Sequence, residues 1–166
     1  MSNAMVLIGP DRKATLRSPT VQTAVTIALD TKYLISQPPG TNSGGIYMFD
    51  NRVNNGSSGE GSLELSTVCN AGDIMSFEVI AINELMGSSS DKVKITGFNV
   101  SYGNVFGGSE GAPVAYHQPG TTPGQYWLAQ AVNAGEQVYQ LFVEITSSGL
   151  HPIVRDITWD PYITAK

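Results

Sequence analysis

Cysteine is almost missing from this chain. Cys69 stands alone among 166 residues, which excludes an internal disulfide and any cysteine-built metal site. Basic residues are scarce as well: nine Lys and Arg face fourteen Asp and Glu, for a formal charge of −5, and they nowhere cluster. A chain of that sign is not built to neutralise phosphates or anionic headgroups, so neither nucleic acid nor a bare membrane is an expected partner. Long apolar runs are absent, and with them any visible membrane span or secretory leader. The two histidines, His117 and His151, lie far apart without H-x-H or H-E-x-x-H spacing, so no transition-metal motif is present. A lone thiol fits a reducing compartment, and the expected location is the cytoplasm.

What the chain does contain is glycine, 18 residues of it, alongside β-rich segments and only 14% charged residues. That composition belongs to a turn-rich β protein. Met1-Ser2-Asn3-Ala4 reads as a cloning remnant ahead of Met5, residues 5–20 as an N-terminal arm carrying Pro10 and Pro19, and residues 21–164 as one domain. From Val21 to Asp30 the alternation is clean: Val21, Thr23, Val25, Ile27 and Leu29 share one face, and Gln22, Ala24, Thr26, Ala28 and Asp30 the other. Two corners repeat. Asn70-Ala71-Gly72-Asp73 and Asn133-Ala134-Gly135-Glu136 each place a glycine and an acid before a β-rich run, the pattern of a tight turn feeding a strand. Further strands are read at 46–50, 63–69, 74–83, 92–102, 125–132, 137–146 and 152–160, with residues 103–124 as the longest loop. The expected fold is an all-β, single-domain antiparallel β-sandwich, jelly-roll-like, of about eight strands.

Catalytic signals are weak. Gly107-Gly108-Ser109-Glu110-Gly111 spells G-x-S-x-G, but Ala112-Pro113 follows where a nucleophile elbow needs a helix. Cys69 shares a strand face with Leu63 and Leu65, which reads as a buried, inert thiol. Glu78 and Glu144, each shortly after one of the twin corners, are the natural pair for a glycosidase, though strand positions of this kind usually face solvent. A calcium site could draw on Asp30, Asp50, Asp91, Asp156 and Asp160, which otherwise read as solvated surface acids. More suggestive are the aromatics around the long loop. Tyr102, Phe106, Tyr116, Tyr126 and Trp127 are interleaved with Asn104, His117 and Gln118, and sugars are held by aromatic faces together with planar amides or acids. Tyr126 and Trp127 equally suit the start of a core strand. Asp30 and Asp160, each ending a strand, either cap turns or flank one rim of a pocket. The candidate ligand-binding residues are therefore Asp30, Tyr116, His117, Tyr126, Trp127 and Asp160.

Four segments carry a family resemblance: Val25 to Ile35, the corner and strand Asn70 to Val79, Ser88-Ser89-Ser90-Asp91 before Val93-Lys94-Ile95-Thr96-Gly97, and the closing Trp159-Asp160-Pro161-Tyr162-Ile163-Thr164. From about residue 22 to 164 the chain resembles the bacterial PixA/AidA inclusion-body protein family. The resemblance implies a small cytoplasmic all-β protein that accumulates strongly, sometimes as inclusions, and it implies no reaction. Some members are rich in methionine and read as storage proteins, whereas this chain has five Met. The expected function is a non-enzymatic module that binds a carbohydrate or other polar small ligand, as a homo-oligomer assembling through a sheet edge or the N-terminal arm, with calcium as an optional cofactor. A self-assembling structural or storage protein, and a hydrolase with an unrecognised carboxylate pair, are the alternatives.

Overall fold

A computed structural model of the chain describes residues 20–40, 44–85, 90–107, 113–116 and 122–166. The arm read at 5–20 and the Ser109 motif lie almost wholly outside these residues, and His117 lies outside them. Within them the chain forms β1 (Thr23–Leu29), α1 (Thr31–Ser36), β2 (Ile46–Asp50), β3 (Ser66–Cys69), β4 (Ile74–Ala81), α2 (Ile82–Leu85), β5 (Lys92–Gly103), β6 (Val114–Ala115), β7 (Tyr126–Gln130), β8 (Gly135–Thr146), β9 (Val154–Trp159) and β10 (Tyr162–Ala165). One sheet runs β2-β1-β4-β7-β6, and the second β3-β10-β8-β5 with β9 also paired to β8.

The all-β reading holds, with one refinement. β1 pairs with β4 in parallel and β10 with β3 in parallel, so both sheets are mixed rather than purely antiparallel. Alternation along a strand reports which face is buried and is blind to strand direction. The periods themselves are as read: Thr23, Val25, Ile27 and Leu29 are buried on the inner face of β1. Opposite them lie Leu141, Val143 and Ile145 of β8, and both sheets contribute to one core. Its centre is an aromatic cluster in which Phe77 meets Phe98, Tyr139 and Phe106 at centroid distances of 5.1, 5.7 and 6.2 Å, all edge-on.

Both corner glycines take the left-handed region, Gly72 at φ 98° and Gly135 at φ 136°. They lead into different sheets, yet lie at one end of the molecule: the Gly72 N–H donates to Ala131 O, and the Ala131 N–H to Asp73 O at 2.9 Å. Asp73 then ties this end together, its Oδ2 accepting from Thr23 Oγ1 and Asn70 N at 3.1 Å each and from the Arg52 guanidinium.

Two elements depart from the expected course. Helix α1 follows β1 directly because Asp30 caps it, its Oδ1 accepting from the Tyr33 N–H at 3.0 Å. Pro161 interrupts the last ladder without ending it: its carbonyl accepts the Tyr139 N–H at 3.2 Å, and β10 resumes along β8. Trp159 closes the core, buried with its indole N–H on Met48 Sδ at 3.0 Å.

Candidate functional site

The outer face of the first sheet is set by register. Thr26 of β1 pairs with Phe49 of β2 and Glu78 of β4, and Glu78 pairs with Tyr126 of β7. Since Phe77 and Val79 point into the core, Phe49, Thr26, Glu78 and Tyr126 form one outward row. Tyr116 continues it: its N–H donates to Tyr126 O at 3.0 Å and the two rings meet edge to face at 6.1 Å. In the flanking rows Tyr47 stands beside Ala28 and Ile80, while Ala24 stands beside Ser76.

By side-chain size these rows outline a trough along the β1–β4 pair. Its floor is built from Ala24, Thr26 and Ala28 of β1 and from Ser76, Glu78 and Ile80 of β4. One wall is Tyr47 and Phe49, respectively 38% and 43% exposed, and the other is Tyr126 and Tyr116, both half-buried. At the interstrand spacing, Phe49 and Tyr126 are about 14 Å apart across the floor. Glu78 stands between them, and among the described residues nothing pairs with its carboxylate. The trough thus offers two aromatic walls and one planar acceptor.

The Phe49 wall is braced from behind. Gly61 (φ 77°) passes under the ring, where a β-carbon would stand 3.6 Å from it, and its N–H donates to Met48 O at 2.7 Å. Next to it, Glu60 Oε2 accepts the Asp50 N–H at 3.0 Å. Burial raises the Glu60 carboxyl above its ordinary range, and the neighbouring Asp50 carboxylate adds to the effect.

Of the expected site residues, the structure joins Tyr116 and Tyr126 and separates the rest. Trp127 alternates with Tyr126 and so points inward, where it packs on Phe98 at 5.2 Å and donates its indole N–H to Gly124 O at 3.2 Å. Phe106 is likewise core. Asp30 is a helix cap, and Asp160 is an exposed link between β9 and β10. They share no rim: Arg155 Nη2 donates to Ile35 O at 3.2 Å, which places α1 at the start of β9, whereas Asp160 follows the strand's end, roughly 16 Å further on. Glu78 and Glu144 occupy the outer faces of opposite sheets, and Glu144 is paired with Lys94 at 2.8 Å, so they cannot face one another across a cleft. Cys69 is fully buried, and burial, aided by Asp73, pushes its thiol up to about 11. Among the acids named for calcium, Asp91 is engaged by Thr31 Oγ1 at 2.6 Å and by Ser148 N and Oγ at 2.7 and 2.9 Å. Among the described residues no three His, Cys, Asp or Glu side chains come together as a metal site.

The fold is a mixed-sheet β-sandwich that carries aromatic side chains at the edges of one outer face. Residues 21–150 match the family described as a domain of unknown function, DUF8788, and the chain belongs to that family. No curated protein matches the sequence. Among solved structures the chain is similar to the inclusion body protein PixA from Burkholderia cenocepacia J2315, with a TM-score of 0.68 and 18% identity over 90% of this chain and 98% of that one. At that identity the likeness is one of fold, and the fold is the one that the resemblance in the sequence implied.

Proposed function

We propose that the chain is a non-catalytic binding module whose trough takes a carbohydrate. One observation carries the reading: the Phe49–Thr26–Glu78–Tyr126 row sets an acceptor carboxylate between aromatic faces. A sugar presents apolar C–H faces to such rings and hydroxyls to such an acid, and the small side chains of β1 leave room beside Glu78. A glycan array read with and without calcium tests it. Selective binding that Tyr126→Ala removes is the expected result; a blank array in both conditions, or binding indifferent to Tyr126, overturns it.

A second reading, self-assembly as a structural or storage protein located in the cytoplasm or in inclusions, is favoured by a different surface. At the β8–β9 hairpin Leu150 is 97% exposed, with Ile153 and Val154 about half exposed beside it, an apolar tip suited to a second copy. Concentration-dependent oligomers in light scattering that Leu150→Ser abolishes would establish this contact, and a monomer at all concentrations would remove it.

A further inference from the structure

The second sheet carries a concavity on its own outer face, and a backbone irregularity makes it. Along β5 the register with β8 runs from Ile95↔Val143 directly to Gly97↔Phe142, so Thr96 is an extra residue and the strand bulges there. Gly97 then stands opposite the half-buried Phe142 ring with no side chain to cover it, while Thr158 of β9 flanks the ring on the other side. The result is a depression of about 610 Å3, lined by Thr96, Gly97, Phe142, Asp156, Ile157 and Thr158 among others. That volume lies in the range of small-molecule sites.

Its chemistry differs from that of the trough. The floor is apolar and includes one aromatic face, and the rim holds a single carboxylate, that of Asp156. In the adjoining cross-strand row Asp156 pairs with Glu144, which pairs with Lys94. Lys94 neutralises Glu144 at 2.8 Å; among the described residues no cation is bonded to Asp156. An aromatic face beside an unneutralised carboxylate is complementary to a positive charge attached to an apolar body.

We propose that the depression at the Gly97 bulge is a second binding site, separate from the trough, for a small organic cation of the arylalkylammonium class, with its ring over Phe142 and its ammonium on Asp156. The carboxylate fixes the sign of the charge, and the open space over Gly97 admits the ring.

Titration of the full chain with phenethylammonium, followed by amide chemical shifts, tests this. The expected result is saturable shifts centred on Thr96, Gly97 and Asp156–Thr158. Asp156→Asn should weaken binding about tenfold, and 2-phenylethanol, the neutral analogue, should bind about tenfold more weakly than the ammonium. Gly97→Leu should abolish binding by filling the space. Gly97 does not need a left-handed backbone, and a β-carbon there meets Phe142 Cδ2 at an ordinary 3.9 Å, so this variant is expected to fold. Should it fail to fold, the exposed Asp156→Asn variant still decides. Absence of saturable shifts, equal binding of the neutral analogue, or unchanged affinity in Asp156→Asn would overturn the proposal.

Discussion

The two outer faces of the sandwich obtain their relief in different ways. On the first sheet the backbone is regular over β1 and β4 and the shape comes from side chains, aromatic at the edges and small along β1. On the second sheet the side chains are ordinary and the depression comes from the residue inserted at Thr96, at the first of two register shifts along β5. The first kind of surface spans several strands and suits an extended ligand; the second is local and suits a compact one. They also differ in fragility, since single truncations lower a side-chain wall while a backbone bulge persists until something fills it.

Both faces rest on one shared core, and breaking that core should erase them together. Trp159→Ala is expected to cost about 3–5 kcal/mol, because the indole is buried and its N–H engages Met48. For a domain of this size that corresponds to a melting temperature lower by roughly 6–20 °C. A soluble variant with an unchanged melting temperature would refute the core role. Trp127→Ala should follow at the lower end, about 3 kcal/mol, since that ring is only partly buried against Phe98.

Its neighbour sharpens the contrast. Tyr126→Ala removes an outward ring and should change stability by less than about 1 kcal/mol. Any glycan found on the array should nonetheless bind it about tenfold more weakly in calorimetry. Glu78→Gln should weaken that glycan too while leaving phenethylammonium binding unaltered. If Tyr126→Ala unfolds the protein as Trp127→Ala does, the assignment of the two residues to opposite faces is wrong.

How much of this was legible beforehand depends on whether the signal is local. The alternation over 21–30 gave the inner face of β1 and already placed Ala24, Thr26 and Ala28 outward, though not what stood either side of them. The twin corners were read correctly because a glycine at positive φ before a strand is a property of four residues. Helix α1 was missed because six residues are too few to display a helical period, although Asp30 ahead of it was a capping signal. Strand β10 was missed because Pro161 looks like a stop. The trough was out of reach, since Phe49, Thr26, Glu78 and Tyr126 come from four strands whose adjacency includes a parallel pair. Gly97, a glycine inside a strand of alternating residues, is a local bulge signal.

The smallest expected effect separates the faces by pH. Glu60 sits in the segment that braces Phe49, and its raised carboxyl means that the folded protein holds the proton more tightly than the unfolded chain does. The sign follows from linkage. The stabilisation is complete below the ordinary carboxyl range and is lost as pH rises through the folded value, because an ionised Glu60 then faces the Asp50 carboxylate. Among the described residues Asp50 Oδ2 and Glu60 Oε1 are both buried without a hydrogen-bond donor, and a proton on Glu60 supplies one. Glu60→Gln keeps an acceptor for the Asp50 N–H and removes the second charge. The variant should therefore melt slightly higher than the parent at neutral pH and equal to it near pH 4, as read by thermal scans across that interval. Any glycan binding in the trough should weaken with rising pH in the parent and not in Glu60→Gln, because only that face is braced by the acid pair. Binding of phenethylammonium across the same interval should not respond to the Glu60 substitution. A melting curve for Glu60→Gln that runs parallel to the parent at every pH would mean that the two carboxylates do not interact, and that the Phe49 wall stands without them.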